Sequence, residues 1–166
     1  AGVPAIVNRI SFTGELGYEI YVAPHFQLKL YEELTKAGKE FNIKPFGGRA
    51  LMSMRLEKNW GAWTLDYRPD FTAKETGLDA FINWDKDFIG KDFAQKDESK
   101  NKLVPLIVET NDIDVTYNEA VLKGDKSIGY ITSGGFAHFV NKSVAFSYVD
   151  QNELKSEKGV QVEING

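Results

Sequence analysis

Apolar and polar residues alternate twice near the start of the chain, over Ile6–Phe12 and over Tyr18–Val22. That period predicts two half-buried strands. Between them Thr13-Gly14-Glu15-Leu16-Gly17 breaks the alternation with two glycines and predicts a tight turn. The period then lengthens. Phe26, Leu30, Leu34 and Ala37 recur at helical spacing after Pro24, with Lys29, Glu32, Glu33 and Lys36 on the other side. This predicts an amphipathic helix whose apolar stripe is core. Gly38 and Phe41-Asn42-Ile43-Lys44-Pro45 end it, and Gly47-Gly48 precede a second helix from Arg49 to about Asn59, with Leu51, Met52 and Met54 inward.

Residues 60–80 form a long polar and aromatic connection that includes Trp60, Trp63, Asp66, Tyr67 and Phe71. Long connections in compact domains often carry function. Thr72-Ala73-Lys74-Glu75 has the form of a helix capping box, which makes Glu75 a cap. Alternation returns over Leu78–Trp84 and predicts a strand; Phe88-Ile89-Gly90-Lys91 then starts a short helix. Gln95–Lys102 carries no apolar residue and marks a boundary, dividing the chain into residues 1–98 and 99–166. Beyond it Leu103–Glu109, Ala120–Leu122, Ser127–Thr132, Ser143–Val149 and Val160–Ile164 read as short strands. Gly124-Asp125, Ser133-Gly134-Gly135 and Lys158-Gly159 read as the turns among them. The expected fold class is α+β: an antiparallel sheet with packed helices, ferredoxin-like in plan, followed by a small antiparallel β-barrel or jelly-roll-like domain.

Composition narrows the chemistry. The net charge of −4 gives no broad basic face, so nucleic acid is not an expected partner. No apolar run reaches the ~20 residues that span a bilayer, so no membrane segment is expected. There is no cysteine, which removes thiol nucleophiles, disulfides and cysteine metal sites and suits a reducing, cytoplasmic setting. His25 and His138 lie outside any metal-ligand spacing, so no metal is expected. The chain opens Ala-Gly-Val-Pro rather than Met and ends in the strand-like Val-Glu-Ile-Asn-Gly, as a piece of a larger protein would. With 11 Phe, 7 Tyr and 3 Trp beside many carboxylates, it can build a groove for a flat, nitrogen-rich ring. A carboxylate accepts two N–H bonds from such a ring, and aromatic side chains hold its apolar parts. On spacing alone the Thr13–Gly17 hairpin is an ordinary surface turn.

Six segments then fall in one order. Arg9-Ile10-Ser11-Phe12-Thr13-Gly14-Glu15-Leu16-Gly17-Tyr18-Glu19-Ile20 resembles the R-x-S-[YF]-T-G-E-x-G-[WYF]-E-[IL] segment of the glycine-cleavage T-protein superfamily. Ser53-Met54-Arg55-Leu56-Glu57-Lys58 is similar to its S-[LM]-R-L-E-K helix. Asp66 to Leu78, with Thr72, Glu75 and Gly77 in place, resembles the segment that follows. Phe88-Ile89-Gly90-Lys91, Ile128–Gly135 and Val144–Val149 resemble the F-[IV]-G-[KR], G-x-[VI]-T-S-G and [IV]-A-x-x-Y-V segments. Lys58–Trp63 looks most like the folate-binding halves of dimethylglycine and sarcosine dehydrogenases.

The resemblance implies tetrahydrofolate binding and transfer of a one-carbon unit from a glycine-type amine such as glycine, sarcosine or dimethylglycine. It implies cofactor-binding positions at Glu19, which would pair with the pterin ring, and at Phe12, Tyr18 and Arg55. Leu51 stands where T-proteins carry an arginine six residues before the glutamate of the R-L-E motif. The family's catalytic aspartate would lie upstream of this chain, so the missing N-terminal half of the same protein is an expected partner. Nothing here binds flavin by motif, so FAD is expected only in a preceding domain of a dehydrogenase parent. Other readings are a demethylase of another methylated osmolyte, such as dimethylsulfoniopropionate, and a folate-binding or structural module without turnover. The resemblance moves Glu19 from turn to site and leaves Glu15 as turn chemistry.

Overall fold

The computed structural model describes residues 2–154 and 159–164. It opens with a two-stranded antiparallel ribbon, β1 (Ile6–Asn8) and β2 (Glu19–Tyr21), in which Asn8 faces Glu19 and Ile6 faces Tyr21. Both strands are shorter than the alternation predicts, because residues 12–16 bend away from the ribbon. Pro24 then opens a turn of 3-10 helix, where its fixed φ and missing N–H suit the first helical position. The chain continues as α1 (Gln27–Gly38).

The stripe on α1 is not core here. The helix buries no residue: of the stripe, Leu30 is half-buried and Leu34 and Ala37 are exposed, and Leu28 and Tyr31 beside it are exposed as well. Ile20 and Val22 of the ribbon face Leu28, Leu30, Tyr31 and Leu34 across an open groove of about 860 Å³. A ribbon with strands of 3 residues is too narrow to cover a helix of 12.

α2 (Gly48–Glu57) buries Arg55 and Leu56. The capping box forms: Thr72 N–H donates to Glu75 Oε2 at 2.9 Å, Glu75 N–H donates to Thr72 Oγ1 at 3.2 Å, and α3 (Ala73–Thr76) follows. The strand expected over Leu78–Trp84 does not form. Gly77 takes a left-handed conformation, φ 75°, and the Leu78 N–H returns to the Ala73 carbonyl at 2.8 Å. The chain is folded back into a 3-10 turn at Asp79–Phe81 instead of being released as a strand. α4 (Lys91–Gln95) starts after Gly90, as the Phe-Ile-Gly-Lys segment predicts.

The remainder is one five-stranded antiparallel sheet, in the order β3 (Asn101–Val108), β6 (Lys142–Asp150), β5 (Lys126–Ala137), β4 (Ala120–Lys123), β7 (Gln161–Val162). α5 (Gln151–Leu154) follows β6. β7 covers only part of the strand expected over Val160–Ile164, and Lys158 of the expected Lys158-Gly159 turn lies outside the described residues. Val115, Val121, Ile128, Ile131, Ala145 and Val149 form the buried core, with Val104, Leu106, Val162 and Ile164 packed against it. The two edges, β3 and β7, flank a single groove of about 620 Å³ lined by Leu106, Val108, Val162 and Ile164, so the sheet is coiled towards a barrel.

Ser133-Gly134-Gly135, expected as a turn, lies inside β5. A Cβ on Gly134 would stand 2.3 Å from the Val115 carbonyl oxygen. The glycine is there for close approach of two backbones. The turn itself comes later, at residues 138–141.

Candidate functional site

Glu19 heads β2 and is half-buried. On a strand, residues two apart share a face, and the Tyr21 hydroxyl donates to Glu19 Oε2. That hydrogen bond, with the carboxylate charge, pushes the Tyr21 phenol pKa up. Glu19 Oε1 has no hydrogen-bond partner among the described residues. The carboxylate is therefore oriented on one oxygen and open on the other. Phe12 is half-buried in the bend that links the two strands, and Tyr18, next to Glu19, is exposed. The bend is tied down at its tip, where Lys58 Nζ pairs with Glu15 Oε1 at 2.5 Å.

Arg55 lies elsewhere. It has no exposed surface, and its Nη1 donates to Asp66 Oδ2 at 2.5 Å and to the Trp60 carbonyl at 3.1 Å. Its guanidinium lies over the Phe146 ring, 5.6 Å from the centroid. Asp66 is equally buried and heavily bonded. Its Oδ2 also accepts the Ala62 N–H at 2.8 Å, and its Oδ1 accepts Thr132 Oγ1 at 2.5 Å and Ser133 Oγ at 2.7 Å. Its carbonyl accepts the Tyr148 hydroxyl at 2.7 Å. Burial raises the Tyr148 phenol pKa, which keeps the hydroxyl a donor. Register shifts in β5 between Ile131 and Ser133. Such a bulge turns neighbouring side chains to one side, and Thr132 and Ser133 both reach Asp66.

The structure thus brings Glu19, Phe12 and Tyr18 onto one hairpin and its bend. It places Arg55 away from that hairpin, without exposed surface, where Nη1 pairs with Asp66 while Nε and Nη2 have no hydrogen-bond partner among the described residues. Arg55, expected at the cofactor, has its ion-pair partner Asp66 and its own position in the interior. Sequence reasoning gave Tyr21 no role at the site, and treated Lys58 and Asp66 only as motif residues. Tyr21 was open to the two-residue strand period; Asp66, 11 residues from Arg55, follows no such period. His25 and His138 are exposed, and among the described residues no group of three His, Asp or Glu side chains could hold a metal ion.

Two family models match the chain: the GCVT N-terminal domain over residues 1–86 and the glycine cleavage T-protein C-terminal barrel domain over residues 101–166. The chain belongs to the glycine cleavage T-protein family. Mitochondrial dimethylglycine dehydrogenase of Rattus norvegicus is 42% identical over 167 residues, which are 98% of this chain and 19% of the relative. Its Homo sapiens counterpart is 38% identical over 99% of this chain. An aminomethyltransferase of Aquifex aeolicus (strain VF5) is 34% identical, over 97% of this chain and 44% of its own length. The crystal structure of glycine cleavage system aminomethyltransferase T from Bartonella henselae superposes with a TM-score of 0.84 at 25% identity, covering 96% of this chain and 45% of that one. The family is one of enzymes. This T-protein-family chain spans about a fifth of the dehydrogenases and just under half of the aminomethyltransferases it matches. No helix among the described residues is long and apolar enough to cross a membrane.

Proposed function

We propose that this chain is the tetrahydrofolate-facing part of an aminomethyltransferase-like protein that moves a one-carbon unit from a glycine-type amine to tetrahydrofolate. The observation that carries the reading is Glu19, a half-buried carboxylate oriented by Tyr21 with one oxygen open, within a chain of this family. The residues fit the ligand. An ionised carboxylate accepts N–H bonds from an amino-substituted ring more strongly than a neutral acceptor does. Phe12 and Tyr18 supply apolar faces on the same hairpin. When bound, tetrahydrofolate supplies the nitrogen nucleophile that receives the one-carbon unit. The part played by this chain is to bind and orient the ring. Arg55 acts through Asp66, holding α2 on the sheet.

Other parts of the reading belong to the whole protein. The catalytic aspartate is assigned to its N-terminal half. Two features support that half as the cover for this surface: the open groove between β2 and α1, and the exposed Ile6 and Val7. The gap between the two family matches, residues 87–100, supports a division near 98/99. A dehydrogenase parent would hold FAD outside this chain, and no residue here is assigned to it. A cytoplasmic setting goes with the absence of cysteine, although the mammalian dehydrogenases carry "mitochondrial" in their names.

The test is a calorimetric titration of the whole protein with tetrahydrofolate. Saturable binding at one site per chain is expected. No heat and no saturation would overturn the reading.

A further inference from the structure

Four polar side chains of the Ser53–Lys58 motif reach four different places. Ser53 Oγ donates to the Phe136 carbonyl of β5. Arg55 pairs with Asp66, which is itself bonded to Thr132 and Ser133 of β5. Glu57 Oε1 accepts the Phe139 N–H at 2.7 Å, in the turn between β5 and β6. Lys58, just past the end of α2, pairs with Glu15 of the hairpin bend. Three of these contacts fix the helix to the sheet or to the segment bound to it; the fourth reaches the loop that precedes Glu19.

The contact at the loop is more than charge. Gly14 has φ 76°, and a Cβ placed there would stand 2.9 Å from Lys58 Cβ and 2.8 Å from Lys58 Cγ. The lysine stem therefore lies against the loop backbone, as long charged side chains do when they cover a surface, and any side chain at residue 14 would displace it. The ion pair is itself exposed, Lys58 at 45% and Glu15 at 64%, so its Coulomb energy is small and screened by salt. Its importance lies in what it holds. A two-stranded ribbon is marginal by itself, and Ile6 and Val7 of this one are exposed. The Lys58 contact joins it to a helix that the sheet has already fixed.

We propose that Lys58 is a positioning residue: it latches the Thr13–Gly17 loop to α2, so that the five-stranded sheet sets the place from which Glu19 meets the pterin. The proposal deepens, and rests on, the reading of Glu19 given above.

The test uses the whole protein and two readouts, amide hydrogen exchange over residues 10–19 and titration with tetrahydrofolate. The variants are Lys58→Met, Lys58→Arg, Lys58→Glu, and Lys58→Glu combined with Glu15→Lys. Lys58→Met should speed exchange in the loop and weaken tetrahydrofolate by about two- to fivefold, with the melting temperature unchanged. Lys58→Arg should restore both. The charge swap should recover most of what Lys58→Glu loses, and 1 M salt should erase that recovery (Debye length about 3 Å). Gly14→Ala, which strains the backbone and displaces the stem, should cost about tenfold in affinity. Unchanged loop exchange in Lys58→Met, or a swap no better than Lys58→Glu alone, would overturn the latch even where tetrahydrofolate binds normally. If loop exchange responds as expected while the wild type fails to bind tetrahydrofolate, the latch stands as a loop attachment and the reading of Glu19 falls.

Discussion

In the five-stranded sheet Val121, Ile131 and Val149 have no exposed surface, whereas in the hairpin and α1 Ile6 is 66% and Leu28 70% exposed. Both regions carry regular apolar patterns. The difference is in the number and length of the elements that share them. Strands β3, β5 and β6, of 8 to 12 residues, coil into a sheet whose inner face closes on itself. A ribbon of 3-residue strands beside one helix makes no second layer. An apolar stripe therefore says which face seeks cover, and the topology says whether the same chain supplies it. The sheet holds itself together; in the reading proposed here, the ligand-facing hairpin depends on α2 and on the N-terminal half of the protein.

Substitutions can break or sharpen that contrast. The largest effect is expected at the junction. Asp66→Ala leaves the Arg55 guanidinium buried without its counter-ion, and should destabilise the fold by about 3–5 kcal/mol in urea unfolding. A loss under 1 kcal/mol would mean that the network does not join helix and sheet. Next comes a matched pair. Ile131→Ala should cost about 3 kcal/mol, because it opens a cavity in the closed core. Leu28→Ala on the open face of α1 should change the stability of these 166 residues by less than about 0.5 kcal/mol. Equal costs would refute the contrast between the two regions. The smallest effect is electrostatic. Hydrogen bonds from Lys126 and then Lys123 hold the Glu153 carboxyl below the ordinary glutamate pKa. A depressed native pKa stabilises at pH values above the ordinary one, and the gain is lost as pH falls through the native value. The stability gap between wild type and Glu153→Gln should thus be open at neutral pH and close on acidification. A gap that widens in acid would reverse the assignment.

Much of the sheet was legible in the sequence, since Leu103–Glu109, Ser127–Thr132 and Ser143–Val149 are short apolar-rich runs between turn residues and fall on β3, β5 and β6. The Thr72–Glu75 cap was legible too, being a local hydrogen-bond exchange. The rest turned on contacts that no residue period encodes. Glycine is read as a turn residue, but at Gly134 it admits the Val115 carbonyl, 19 positions away in the chain. The alternation at Leu78–Trp84 was overruled by Gly77 and the return of the Leu78 N–H to α3. Arg55 looked like a ligand contact because its motif marks it, and only the fold reveals Asp66 and the β5 bulge around it. Glu19 was placed on the hairpin correctly, but its orientation by Tyr21 depends on side-chain geometry that the strand period merely permits.

The most direct measurement is the tetrahydrofolate affinity of the whole protein with and without the Glu19 carboxylate. Glu19→Ala should weaken binding by about 1–3 kcal/mol, since a charge-assisted acceptor for the pterin N–H groups is removed. Tetrahydrofolate bound by Glu19→Ala as tightly as by the wild type would contradict the assignment of this hairpin as the pterin site.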